Sequence, residues 1–218
     1  MSFEKHYIFG ASGFAKEVFL ILLRTGVNRE NIFFVDSDPV KHQNIHGSEV
    51  ISEDQFMCIS DSDYSGNKKL VYIGIGNPKI RKNVFLKLQN VKNVVFPNLI
   101  DPNSIVDEKL NSIGVGNIFC SNCVITIDTK IGNFNHFNLS CTIGHDTEVG
   151  DFCTFSPGCN ISGNVVINDK VFFGTNSTTI EGVCIYEEAV IGASAAVVSD
   201  LKQSGTYVGI PAKMIRKV

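Results

Sequence analysis

The 218-residue sequence has no basic stripe, no long apolar run, no tryptophan and no second CxxC pair. Lys and Arg number 19 against 22 Asp and Glu, a formal net charge of −3. Residues 1–100 carry 12 basic and 10 acidic side chains and the remainder 7 and 12, so the two parts stand at +2 and −5. Neither has the positive surface that a nucleic-acid binder needs to displace counterions, and no nucleic-acid partner is expected. The longest apolar runs, such as Val18–Leu23, fall far short of the ~18–20 residues of a membrane span. The opening MSFEKHYIFGASG mixes charges and runs at once into a strand-like segment, unlike a signal peptide, so a cytoplasmic protein is expected.

Seven cysteines (58, 120, 123, 141, 153, 159, 184) is an odd number for a disulfide framework. Cys120-Ser-Asn-Cys123 is a lone CxxC, and a zinc ribbon needs two. The thiols therefore call for another explanation, which the repeat supplies.

Every sixth residue from Ile113 to Val197 is Ile, Val or Phe, with Thr179 as the sole exception among fifteen. A period of six is neither the 3.6 of a helix nor the 2 of an alternating strand. The next residue is Gly six times (Gly114, Gly132, Gly144, Gly150, Gly174, Gly192), as corners with little room for a Cβ demand. The position two before the apolar one holds only small or medium residues, four cysteines among them: Cys123, Cys141, Cys153 and Cys159. Free Cys packs as a small hydrophobe, so these thiols read as filling of a narrow interior. The pattern is that of a hexapeptide-repeat parallel β-helix, three hexads to a coil of 18 residues.

The first part of the chain reads as a small α/β unit. Tyr7–Phe9 is a short strand entering Gly10-Ala-Ser-Gly13, and a helix follows with Phe14, Val18, Ile21 and Leu22 on one face, ending near Gly26. Further strands at Asn31–Val35 and Leu70–Ile75 end in Asp36 and in Gly76-Asn77-Pro78, with a helix near Lys79–Leu88 and a last strand at Val94–Phe96. Such alternation predicts a Rossmann-like parallel sheet with ligand-facing loops at the carboxyl ends of its strands. The predicted domains are 1–98, α/β, and 99–218, the β-helix with a C-terminal tail. Gly10-x-x-Gly13 is shorter than GxGxxG, which weakens a dinucleotide reading. The amides of Ser12 and Gly13 at a helix N-terminus suit a phosphate, Asp36 suits a base or ribose, and Gly76 with Asn77 closes the same crevice.

Of five histidines, His6, His42 and His46 are expected to be solvated. His136 and His145 lie in the repeat, too few for a three-His zinc site, so no metal is expected. His145, in Ile143-Gly-His-Asp146, falls at a corner phase beside a carboxylate. A neutral imidazole there suits proton abstraction from an amine or hydroxyl attacking a thioester.

GASGFAKEV near the start, IGHDTEVGDFCTFSPGCNISGNV at 143–165 and GTYVGIPAK at 205–213 resemble the NeuD/PglD-like sugar acyltransferases over essentially the whole chain. The resemblance implies left-handed coils, a homotrimer with sites between subunits, and acetyl transfer from acetyl-CoA in surface-polysaccharide synthesis. The implied acceptor is the 4-amino group of a nucleotide-linked deoxy-amino sugar. It makes His145 the general base and Asp146 its acidic neighbour. It puts Asn138, Thr154, Gly163, Thr175 and Ala193 near acetyl-CoA, Gly163 as a backbone contact to the pantetheine arm. Ser12, Gly13, Asp36, Gly76 and Asn77 would hold the nucleotide. Two positions depart from many relatives: Phe14 and Thr154 stand where those have His. Two alternatives stay open, O-acetylation of sialic acid or a related sugar, and a non-catalytic nucleotide-sugar-binding module.

Overall fold

A computed structural model describes residues 4–39, 44–62 and 67–217. His42 lies outside them. The chain divides into two compact units, Met1–Leu99 and Ile100–Val218.

The first unit is built on β1 (Lys5–Phe9), α1 (Gly13–Arg24), β2 (Ile32–Asp36), β3 (Asn44–Ile45), β4 (Ser48–Ser52), α2 (Glu53–Ser62), β5 (Lys69–Ile73), α3 (Pro78–Leu88) and β6 (Val94–Val95). The sheet runs β3-β4-β2-β1-β5-β6, parallel except for the β3–β4 pair. β1 lies in the middle, which is why its residues after Lys5 are all buried and apolar apart from His6. α1 buries Ala15, Val18, Phe19, Ile21 and Leu22, and stops where Thr25 returns its amide to Ile21 and Gly26 turns to φ +89°.

Two elements at 44–62 escaped the periodicity because neither carries an apolar stripe. The β3–β4 hairpin turns on His46 and Gly47, both at positive φ, as a two-residue loop requires. Helix α2 is polar, and among its described side chains Phe56 is the fully buried one: it meets the rings of Tyr7 and Phe9 edge-on at 4.9 and 5.0 Å. Its start is nonetheless written in the sequence. Ser52 Oγ accepts from the Gln55 amide (3.0 Å) while Gln55 Oε1 accepts from the Ser52 amide (2.7 Å), a reciprocal capping box.

His6 is not solvated. It faces out of the central strand at 9% exposure, stacked on Tyr72 with its Nδ1 3.3 Å from the phenol oxygen. Burial holds its pKa below the ordinary histidine value, the Glu4 carboxylate opposing in part. The folded state thus binds its proton less readily than the unfolded chain. The resulting stability is present above the ordinary pKa of about 6.5 and is lost as pH falls through the lower folded value. Thermal melts from pH 7.5 down to about 5.5 should show a steeper loss for the wild type than for His6→Gln. Equal slopes would remove this role.

The second unit is a left-handed parallel β-helix. Two-residue strands recur every six residues in three parallel sheets, and register partners lie 18 apart, as in Ile125↔Ile143 and Ile143↔Ile161. The apolar column points inward, with Phe119, Phe137, Phe155 and Phe173 stacked ring on ring at 4.7–5.0 Å. The four column cysteines are fully buried, and their thiols approach coil carbonyls, for example Cys123 to Asn138 O at 3.1 Å. A hydrogen bond with the neighbouring Cys123 thiol, and burial after it, push Cys141 up to about 12, so it stays protonated. These thiols are packing groups. Where the same inward phases hold Asn, each bonds the next coil: Asn117 Oδ1 accepts from the Asn135 amide, and Asn135 Oδ1 from that of Cys153. The tail proves ordered. Thr206–Val208 pairs in parallel with Val190–Ile191 and folds back antiparallel on Lys213–Arg216.

Candidate active site

His145 stands at the corner after the strand Thr142–Ile143. Its neighbour Asp146 is in the left-handed conformation, φ +59°, with its amide bonded to Ile127 O of the coil before. That turn brings Asp146 Oδ2 within 2.8 Å of His145 Nδ1. Both side chains are more than half exposed. The hydrogen bond to Asp146 raises the imidazole pKa, desolvation opposes it, and the charges of Asp146 and Glu181 add to the rise. When the ring is neutral, Nδ1–H donates to the carboxylate and Nε2 carries the open lone pair. The pair is thus built to take up a proton at Nε2.

Because the coils repeat every 18 residues, Gly163 and Glu181 occupy the phase of His145 on the next two coils. Asn138, Thr175 and Ala193 sit elsewhere. They follow the strands ending at Phe137, Phe173 and Ile191, which belong to a different sheet, and so occupy another corner of the prism. Asn138 Oδ1 accepts from the Leu139 amide at 2.7 Å. Thr154 is 7% exposed, paired in register with His136, which is 1% exposed. Within one chain, then, His145, Asp146 and Gly163 come together, while Asn138, Thr175 and Ala193 form a second group. Among the described residues no three His, Cys, Asp or Glu side chains group as metal ligands.

In the α/β unit, β2 and β6 lie on opposite sides of the β1–β5 pair, so right-handed crossovers send α1 and α3 to opposite faces. The crevice beyond the carboxyl ends of β1 and β5 is therefore the topological switch point. Gly10 and Gly74 make it. Gly10 is at φ +108°, and a Cβ on Gly74 would lie 2.8 Å from the Ala15 Cα, so α1 seats directly on the turn. Ser12 is the N-cap of α1 but makes no side-chain cap, and the first turn holds no acidic residue. An uncapped helix N-terminus of this kind suits an anion. Asn77 caps α3, its Oδ1 accepting from Lys79 and Ile80 at 3.0 and 3.1 Å, so only its amide NH2 remains to donate. Buried Arg81 donates to the carbonyls of Ile75 and Gly76 at 2.8 and 3.2 Å and fixes that turn, a role the sequence did not announce. Asp36 Oδ1 accepts from the Asp38 amide at 2.9 Å. A cavity of about 380 Å³ opens here, with Phe9, Val35 and Ile75 on its apolar side and Asp36 and the Glu53–Lys87 pair on its polar side.

Fold and site together define a Rossmann-like domain joined to a hexapeptide-repeat solenoid with a His–Asp pair on its surface. Residues 5–88 match the model of the PglD N-terminal domain. No curated protein matches the chain. Among solved structures, a variant of perosamine N-acetyltransferase from Caulobacter crescentus, in complex with CoA and GDP-perosamine, is 26% identical. That match covers 98% of this chain and 97% of the other, with a TM-score of 0.88. WeeI from Acinetobacter baumannii AYE is 28% identical over 97% and 100% of the two chains, TM-score 0.87. The acetyltransferase domain of PglB from Neisseria gonorrhoeae FA1090, in complex with acetyl coenzyme A, shares the fold at 24% identity and TM-score 0.88. Residues 5–88 thus carry the PglD N-terminal domain, and the whole chain shares the fold of perosamine N-acetyltransferase and WeeI, in keeping with the sugar acyltransferases its motifs resemble.

Proposed function

We propose that the protein transfers the acetyl group of acetyl-CoA to the 4-amino group of a nucleotide-linked deoxy-amino sugar. The observation that carries this is the exposed His145–Asp146 pair, with Nδ1 held at 2.8 Å and Nε2 left open. The sugar nitrogen attacks the thioester carbonyl and forms the new C–N bond. His145 Nε2 removes a proton from that nitrogen, Asp146 steadies the resulting imidazolium, and the C–S bond breaks as the tetrahedral intermediate collapses. The departing thiolate takes the proton back from His145. Backbone amides of the coil, that of Gly163 among them, steady the oxyanion and the pantetheine arm.

The donor and acceptor sites divide between the units. Asn138, Thr154, Thr175 and Ala193 serve acetyl-CoA. Since Asn138, Thr175 and Ala193 lie on a different corner from His145, a homotrimer supplies the missing geometry, one copy's corner facing the other corner of its neighbour. The nucleotide lies at the switch point of the α/β unit, its phosphate on the Ser12–Gly13 amides and its base or ribose at Asp36, with Gly76 and Asn77 closing the crevice. The resemblance to an enzyme crystallised with CoA and GDP-perosamine supports this division. No described helix is long and apolar enough to cross a membrane, and both substrates suit a cytoplasmic enzyme.

The test is thiol release from acetyl-CoA against a panel of nucleotide-linked 4-amino sugars and free sialic acid. Release is expected with one or more amino sugars and with none of the nucleotide-free acceptors. Release with sialic acid alone would replace N- by O-acetylation, and nucleotide-sugar binding without any thiol release would leave a binding module.

A further inference from the structure

We infer that residue 163 is glycine because the His145 imidazole occupies the space its side chain would need, which makes Gly163 a positioning residue for the proposed base. A Cβ built on Gly163 would lie 2.6 Å from His145 Cε1, 2.7 Å from Nε2 and 3.0 Å from Nδ1. The first two are closer than real Cβ atoms come, and all three atoms belong to the N–C–N side of one ring. The backbone does not ask for glycine here, for Gly163 is not among the positive-φ residues. Nor does the fold ask for it at this phase, since the other coils hold Ile127, His145 and Glu181 at the equivalent corner. Other corner glycines differ in what they meet: a Cβ on Gly144 or Gly174 would strike the backbone of the following coil at 2.5–2.6 Å. A Cβ on Gly114, Gly132 or Gly150 would strike an Asn or Asp oxygen at 2.4–2.5 Å, whereas one on Gly163 meets the ring of the proposed base.

The consequence is mechanical. The ring lies between two groups, Asp146 Oδ2 at 2.8 Å from Nδ1 and Gly163, whose missing Cβ leaves room for the side that bears both nitrogens. The backbone on which both rest is tied by the Asn164 amide to His145 O at 2.7 Å. A methyl group at 163 pushes the exposed ring aside and leaves the coil intact, so Gly163→Ala folds but loses the Nδ1–Asp146 alignment.

This inference rests on His145 being the base, and the experiment keeps the two apart. Histidine-labelled protein, with His145→Ala for assignment, gives the titration and tautomer of the His145 ring by NMR in wild type and Gly163→Ala, with no substrate present. In the variant the pKa is expected to fall toward the ordinary histidine value of about 6.5, and the Nδ1–H tautomer to lose its preference. kcat is expected to drop by about tenfold or more, as a misplaced base should. KM for acetyl-CoA should stay within about twofold, since alanine keeps the amide that a mere cofactor contact would use. A variant with wild-type titration, tautomer and kcat overturns the inference, and so does a loss confined to KM. A displaced ring with unchanged kcat would keep the contact and instead remove His145 as the base.

Discussion

His145→Ala is expected to lower kcat by about 10²–10⁴-fold, the usual contribution of a positioned general base, while the urea midpoint stays within error of wild type. The side chain is exposed at a solenoid corner, so deleting it opens no cavity in the core. The same residue sets the pH dependence. Only neutral imidazole accepts a proton, and Asp146 holds the pKa above its ordinary value, so activity should rise with pH through that raised value. Asp146→Asn removes the largest cause of the rise. The activity limb should then move to lower pH while the plateau rate falls, because an amide that can present either Oδ1 or NH2 no longer selects the Nδ1–H tautomer. An active, folded His145→Ala protein, or an unmoved limb in Asp146→Asn, would assign the proton transfer elsewhere.

Phe137→Ala is expected to cost about 3–5 kcal/mol, the range for emptying a buried aromatic site. Phe137 is fully buried, with Phe119 stacked on one side at 4.8 Å and Phe155 on the other at 4.7 Å. Its removal therefore breaks two ring contacts at once. A solenoid coil touches only its neighbours, so a void in one coil weakens both interfaces and cannot be repacked from a distant part of the core. Urea denaturation followed by far-UV circular dichroism measures the loss. A change below about 1 kcal/mol would mean that the column collapses around the void in a way the stacked geometry gives no hint of.

The columns of the solenoid were legible because each coil reads the chain at one fixed phase. A residue six places on meets the same environment, so Ile143, Val149 and Phe155 announce an interior, and Cys141 beside them announces its own burial. The corners were not legible in the same way. From Gly116 to Ser194 the residue three after each apolar position takes positive φ, yet that column mixes Gly, Asn, Asp and Ser with Phe134, Phe152, Lys170 and Glu188. A left-handed L-residue costs roughly 1–2 kcal/mol. The coil offsets it with a bond from the corner amide to the preceding coil, such as Phe134 to Val115 O and Lys170 to Asp151 O, both 2.8 Å. No local preference reveals an interaction made one coil away.

In the α/β unit the buried strands and the Gly10–Gly13 turn were visible as apolar runs ending in glycine. The polar helix α2 was missed because one ring, Phe56, holds it in place of a stripe. His6 was misjudged because burial follows from the central place of β1 in the sheet, and strand order is not a property of any strand.

By itself the sequence determined the period, the inward columns, the structural cysteines and the neighbouring of His145 and Asp146 at a corner, because each depends on residues close in phase or adjacent in the chain. Only the tertiary structure decided that Gly163 lies against the imidazole, that Asn138, Thr175 and Ala193 stand on another corner, and that Asn77 is committed to a helix cap. Those facts depend on how coils stack and strands order. Stacking turns a separation of 18 residues into contact, and a separation of seven, from Asn138 to His145, into two different corners.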